Sequence, residues 1–431
     1  MRLSCWNGRE WIESGCGQRC SRAPKLMRIL VHDYAGHAFP VQLSRELARR
    51  GHTVIHAYAG ELLTPRGDLT RRPYDPASFD LVEVPMSTRY RADKYKFIRR
   101  RGHELAYGQQ LVALLDRTKP EVIISGNTPT EPQWTFIKGA RARDVPFVSW
   151  IQDFYSVAVD KLMRRQFPLI GPLIGHWYRS LDGKCFRASS GVVAITKDFI
   201  PILEGYGVSA SAAAVIPNWA PLDALPLMPR KNAWSARHGL EGKFVFLYSG
   251  TLAMKHNPEL LWLLALRFAN ASLVQVVVIS EGPGMDYLRS RQQQEKLPNL
   301  QLLPFQPFQE MPVVLASADV FLAVLERDAG IFSVPSKVLT YLSAGRPILG
   351  AMPRENLATQ IIREQRAGIC VEPEDVEGFI REAVRLSGDL AMRDDMARQA
   401  RAYAEQTFEV SVIGDQFEQI FQRAIQAAGK V

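Results

Sequence analysis

Two runs of alternating apolar strands and helical segments, split by a proline-rich gap, leave this chain few folds to adopt. The first run starts at Met27, where Ile29–His32 reads as a strand, Val41–Arg50 as a helix stopped by Gly51, and Thr53–Tyr58 as the next strand. Glu121–Ser125, Pro146–Trp150 and Gly191–Ile195 continue it. A second run extends from Phe244 to Cys370 through Val276–Ser280, Leu300–Leu303, Val320–Val324 and Pro347–Gly350. Strands separated by helices pair in parallel, because the helix supplies the crossover that parallel neighbours need. Each run therefore predicts an open α/β sheet. Pro217–Pro229 holds four prolines and no periodicity and marks the joint. The expected division is one domain over residues 27–221, a second over 222–405, and a terminal helix from 406 to 431.

The segment Phe332–Gly350, FSVPSKVLTYLSAGRPILG, carries the clearest chemical signal. Pro335 suits the first position of a helix of about three turns and Gly345 with Pro347 suits its stop, which places Ser336 and Lys337 in the first turn beside the loop Asp328–Val334. Unpaired N–H groups and a cation there predict a phosphate site. A second segment, Lys243–Leu261, reads as a strand ending in Ser-Gly-Thr, a loop with Lys255 and a helix opening at Asn257-Pro258. Strand, glycine turn and helix in that order form a ligand site at the carboxyl edge of a parallel sheet.

Together these patterns, VPSK-x₃-Y-x₃-GRP and YSG-x₄-K, resemble the donor domain of glycosyltransferase family 4, the retaining GT-B enzymes that include bacterial polysaccharide-assembly members. Val277–Gly284 and Val215–Trp219 (VIPNW) match as well, so the resemblance covers nearly the whole chain from Met27. It implies two Rossmann-like domains facing a central cleft, a nucleotide-diphosphate sugar as substrate, and a lipid-linked or saccharide acceptor. Lys255, Lys337 and Asp153 are then the catalytic candidates. Donor contacts fall on Gly250, Thr251, Glu281, Phe305, Gly330, Ile331, Phe332, Ser336 and Thr340, with the base near Leu303–Pro307. Acceptor contacts fall on Gly36, His37 and Gln152. UDP is favoured over GDP only because it is commoner in the family.

Three positions depart from the family pattern. Gln152-Asp153 stands where a His-Asp is frequent, and Phe332 and Thr340 stand where many members carry two glutamates. Glu326, Asp328 or Glu281 could supply a substitute carboxylate. The rival expectations are a donor-binding scaffold protein of a polysaccharide assembly complex that has lost activity, and a GT-B-fold nucleotide-sugar epimerase. An oxidoreductase is disfavoured, since the first turn has Gly36 alone where a dinucleotide fingerprint needs closely spaced glycines. No cofactor is expected, and no His/Asp cluster with metal-ligand spacing is visible.

Charge separates the halves. The net charge of +9 arises from the N-terminal portion, chiefly Arg89–Arg101 and Lys161–Arg187, where aromatic residues interleave with the basic ones. Phe167–Tyr178, FPLIGPLIGHWY, is strongly apolar and framed by Lys161, Arg164, Arg165 and Arg179. That pattern predicts a peripheral contact with the inner face of the cytoplasmic membrane rather than with nucleic acid, for which no motif is present. No apolar run reaches a bilayer span. Cys185 and Cys370 are isolated in the globular part, which fits a reducing cytoplasm. Residues 1–26, with three cysteines and no apolar core of a signal peptide, read as an extension foreign to the fold, expected to be disordered.

Overall fold

A computed structural model describes residues 25–62, 66–93, 96–253, 256–327 and 335–429. Among them, two all-parallel sheets lie side by side. The first contains β1 (Arg28–Asp33), β2 (Thr53–Ala59), β3 (Phe79–Val84), β4 (Val122–Gly126), β5 (Phe147–Ile151), β6 (Gly191–Ala194) and β7 (Ala213–Val215), in the order β3-β2-β1-β4-β5-β6-β7. The second contains β8 (Phe244–Ser249), β9 (Val274–Ile279), β10 (Leu300–Leu303), β11 (Val320–Val324), β12 (Ile348–Ala351) and β13 (Gly368–Val371), in the order β10-β9-β8-β11-β12-β13. Both orders reverse direction once, between β1 and β4 and between β8 and β11. Such switch points leave a crevice beyond the carboxyl ends of the strands.

The strands are apolar along their length because helices cover both faces. Ile29, Leu30 and Val31 of β1, Ile123 and Ile124 of β4, and Phe246 and Leu247 of β8 are all buried. Among the polar residues of the core, His32 is held at both ring nitrogens. His32 on β1 bonds Ser125 Oγ and Tyr107 Oη, each at 2.8 Å, and burial pushes its imidazole down to about 3.

Helices α1 (Ala38–Arg49), α2 (Tyr90–Asp93), α3 (Phe97–Thr118), α4 (Thr130–Arg141), α5 (Tyr155–Gln166) and α6 (Gly171–Ala188) pack around the first sheet. The terminal helix, Val410–Ala428, also belongs there, although the second sheet precedes it in the chain. Phe417 meets the Trp150 ring at 4.9 Å, and Arg50 after α1 bonds Asp415 at 2.6 Å and Glu418 at 3.0 Å. One apolar core runs from the first sheet through this helix to one face of the second sheet, and a separate core fills the other face.

The helix after β11 departs from its expectation. It covers only Lys337–Ser343, with Ser336 as its cap position and Pro335 outside it. Three turns shrink to two, so helix-end N–H groups have little dipole behind them and the lysine itself becomes the main cationic feature.

Candidate active site

The crevices of the two sheets face each other and enclose a cleft of about 190 Å³. His37, Asn127, Gln152, Asp153 and Asn218 line one wall, and Thr251, His256, Pro335, Ser336 and Lys337 the other.

On the second wall, Lys337 projects from the short helix toward the end of β8. Its ammonium lies 3.9 Å from the centre of the Tyr248 ring, donates to the Tyr248 hydroxyl, and reaches the Thr251 carbonyl at 3.5 Å. Gly250 makes this approach possible. Its φ is +134°, and a Cβ there would come within 3.1 Å of Lys337 Cε. The Tyr341 hydroxyl, one helical turn beyond Lys337, holds the same strand end through both polar groups of Ser249.

On the first wall, β1 ends in Asp33, which is 1% exposed. It accepts the His37 amide and Asn127 Nδ2 at 2.7 Å, and lies 3.6 Å from His37 Nδ1. Burial would raise the Asp33 carboxyl, yet the His37 charge and these hydrogen bonds hold it well below the usual carboxylate range. For His37, burial opposes the charged form, but Asp33 outweighs it, with Asp153 adding, and the imidazole is raised above its ordinary value. Gly36 has φ +73° and a Cβ would sit 2.9 Å from Leu69, so it shapes the turn that brings His37 to Asp33 and does not line the cleft.

Gln152 continues β5 into the cleft, where its side-chain carbonyl accepts Asn218 Nδ2. Among the described residues, Gln152 Nε2 and Asn218 Oδ1 have no partner, which leaves one buried donor and one buried acceptor at the cleft wall. Asp153, the next residue, is exposed to the cleft.

Of the residues singled out in the sequence, the cleft gathers Lys337, Ser336, Thr251, His37, Gln152 and Asp153. Gly250 lies beneath Lys337. Glu281 and Phe305 are half-buried beyond the ends of β9 and β10, and Thr340 lies in the middle of the short helix; none of the three lines this cleft. Lys255, Gly330, Ile331 and Phe332 lie outside the described residues. Asp33, Asn127, Asn218 and His256 were not anticipated. Asn218 was visible within VIPNW, and an aspartate closing an apolar strand was the available signal for Asp33. Among the described residues there is no group of three or more His, Cys, Asp or Glu placed to hold a metal ion.

A model of Glycosyltransferase Family 4 matches residues 39–224, and one of Glycosyl transferases group 1 matches residues 243–389. Over 215 residues the chain is 27% identical to the Escherichia coli protein named as a colanic acid biosynthesis glycosyl transferase, WcaI, an alignment that covers 49% of this chain and 52% of that protein. The chain thus spans about half the length of the curated relative it matches. Solved structures of the same fold include Anabaena HepE in complex with UDP and glucose, with a TM-score of 0.66, 15% identity and coverage of 92% of this chain and 99% of that one. WaaG, a glycosyltransferase involved in lipopolysaccharide biosynthesis, gives a TM-score of 0.64 at 14% identity, with coverage of 91% and 99%. Both likenesses are of fold.

Proposed function

The chain belongs to glycosyltransferase family 4 and has the GT-B fold, and from that premise we propose that it transfers a sugar from a nucleotide-diphosphate donor to a lipid-linked or saccharide acceptor in cell-surface polysaccharide assembly. One observation carries this reading. A lysine held by Tyr248 and Thr251 faces, across one cleft, a wall bearing His37, Gln152 and Asp153.

The reaction breaks the bond between the anomeric carbon and the donor's β-phosphate oxygen, and joins that carbon to an acceptor hydroxyl oxygen. Negative charge grows on the departing diphosphate. Lys337 is fixed in place before the reaction begins, so its charge can meet that oxygen without reorganisation, the condition under which electrostatic stabilisation is strongest. Positive charge develops at the anomeric carbon, and Asp153 is the exposed carboxylate of the opposite wall. In the retaining course that family resemblance implies, the acceptor proton passes to the leaving phosphate oxygen. Gln152 can then orient a hydroxyl without having to exchange a proton. The base is assigned to uracil, in keeping with the UDP complexes of HepE, and no metal ion is given a role.

The hairpin of α5 and α6 supports a peripheral position at the inner surface of the cytoplasmic membrane. At its tip Leu169 is 94% and Leu173 72% exposed, with Ile98 of α3 at 83%. Phe97 packs on Tyr178 and the Arg101 guanidinium lies 5.9 Å from the Trp177 ring centre, which ties α3 to the hairpin. Exposed Arg99, Lys161, Arg164 and Arg165 surround the apolar tip. Apolar side chains among exposed cations match an anionic bilayer interface. Among the described residues no helix is long and apolar enough to cross a membrane.

Thermal unfolding with UDP, GDP and ADP, followed by donor hydrolysis and transfer assays with membranes, tests the donor reading. A nucleotide at a hundredfold excess over its Kd stabilises by about 2.7 kcal/mol. Stabilisation by UDP that Lys337→Ala removes is expected. Stabilisation by none of the three would overturn it, and binding without hydrolysis or transfer would favour an inactive scaffold.

A further inference from the structure

A second pocket, of about 130 Å³, opens beside the cleft and shares Asn127, Gln152 and Asp153 with it. It lies between the carboxyl ends of β4 and β5 and the helices α5 and α6, on the side of the first sheet that leads to the apolar hairpin.

Its polar lining is hydroxyl, amide and carboxylate, set against an apolar wall of Trp150, Ile151, Cys185 and Phe186. Ser125 donates to Gln133 Oε1 at 2.8 Å and shares a bond with the Thr128 hydroxyl at 3.0 Å, and Thr130 donates to Asp182 at 2.6 Å. Tyr155 completes the wall nearest α5. Among the described residues that line it there is no lysine, arginine or histidine, while Asp153 and Asp182 both contribute carboxylates. The neighbouring cations are committed to carboxylates of the protein. Arg100, which donates to the Tyr155 hydroxyl at 2.5 Å, pairs with Glu104 at 3.3 Å, and Arg179 pairs with Asp160 at 2.7 Å.

A phosphate placed there would meet the exposed Asp153 carboxylate, and no lysine, arginine or histidine among the lining residues, so like charges would repel it. Sugar hydroxyls, which both donate and accept, match Ser, Thr, Asn, Gln and Tyr side chains. The exposed cations lie instead at the far end of α5, where Arg165 is the penultimate residue of a 12-residue helix that begins two residues after Asp153. At 1.5 Å per residue the separation is about 18 Å.

We propose that this pocket receives an uncharged sugar ring at the growing end of the acceptor, and that the acceptor's lipid phosphate sits at the hairpin, one helix length away. The protein therefore elongates a saccharide already built on its carrier. Its substrate must come from an earlier reaction of a different class, one that places the first sugar on a lipid phosphate. This inference rests on the donor cleft proposed above.

The test uses full-length protein with UDP, and compares octyl glucoside, octyl galactoside and octyl mannoside, below their micellar concentrations, with farnesyl phosphate. UDP binding is measured first, and its absence would sink the donor reading separately. With UDP bound, at least one octyl glycoside is expected to bind and to lose tenfold or more in Thr128→Phe, which fills the pocket. Tyr155→Phe, which removes one hydroxyl and keeps the volume, should weaken it threefold or more. Farnesyl phosphate should be indifferent to both changes. Failure of every glycoside to bind the UDP-loaded protein, glycoside binding untouched by both variants, or farnesyl phosphate binding that either variant removes, overturns the proposal.

Discussion

The hydroxyl of Tyr341 donates to the Ser249 carbonyl at 3.0 Å and accepts from the Ser249 amide at 2.9 Å. One side chain thereby satisfies both backbone groups at the end of β8, where the strand leaves its ladder and turns toward Gly250. The ring stacks on Phe321 of β11 with centroids 4.0 Å apart, so the helix carrying Lys337 is registered against both strands of the switch point.

Tyr341→Phe should lose about 1–3 kcal/mol of stability, because it leaves a buried donor and acceptor without a partner. Denaturant unfolding measures this, and UDP titration should show weaker binding through the loosened Lys337. A neutral substitution would mean that water replaces the hydroxyl.

Lys337→Ala should lower kcat/KM by about a hundred- to a thousandfold, in the range found when one fixed charge-stabilising group is removed. Lys337→Arg should recover little, since Gly250 and Tyr248 leave space for a slender ammonium and not for a planar fork. Steady-state kinetics with an identified donor decides it, and activity within tenfold of wild type for the alanine variant would remove Lys337 from the mechanism.

Acid should weaken the fold through two buried histidines, although burial pushes the Glu104 carboxyl up to about 7, so that the folded chain takes up one proton there that the unfolded chain does not. Burial pushes His32 down to about 3 and His56 down to about 4, so between these values and 6.5 the unfolded chain binds protons that the folded chain refuses. Stability should therefore fall as pH drops from about 6.5 to 4.5 by about 1.4 kcal/mol per pH unit, the two histidine protons less the one that Glu104 takes up in the folded chain. Asp33, held low, adds a contribution that persists above the ordinary carboxylate range and is lost only as pH falls through its depressed value. His37 has the opposite sign, because its raised imidazole stabilises below 6.5 and that contribution is lost as pH rises through its folded value. Unfolding free energies from pH 4.5 to 6.5 should show the slope, and His56→Phe should flatten it by one proton. An unchanged slope in that variant would contradict the assignment.

Leu169→Asp with Leu173→Asp should leave the unfolding midpoint nearly unchanged, since both residues are exposed. Sedimentation with vesicles containing anionic lipid should fall at least tenfold, and binding by the unaltered protein should weaken in high salt. Equal sedimentation of the two proteins would remove the hairpin from the membrane contact.

Truncation after Tyr403 should abolish cooperative unfolding of the first domain. It removes Phe417 from the Trp150 ring and leaves Arg50 and His52 without Glu418. Circular dichroism and protease resistance would reveal a domain that survives intact, which is the contrary result.

Much of the architecture was legible because buried parallel strands are apolar throughout. Ile29–His32, Phe244–Tyr248 and Val320–Val324 were all placed within one or two residues of the observed strands. β3 was not visible, since Asp80 and Glu83 interrupt an edge strand that is only partly covered, and β7 has just three residues. The helix at Lys337 was read too long, because Pro335 is as compatible with the turn before a helix as with its first position. Asp33 and Asn127 escaped because they meet each other across β1 and β4, a proximity created by the sheet and absent from their local sequence.

The terminal helix has a bearing on how the protein is made. Its aromatic residues close a sheet whose last strand, β7, ends at Val215, while the helix itself begins at Val410. At ribosomal rates of 5–20 residues per second the interval is on the order of tens of seconds. Through that time the nascent first domain has every strand, with Phe39 and Trp219 against Trp150, but lacks the Phe417 ring that closes over it, a surface inviting to chaperones and to other nascent chains. The domain synthesised first is the one completed last.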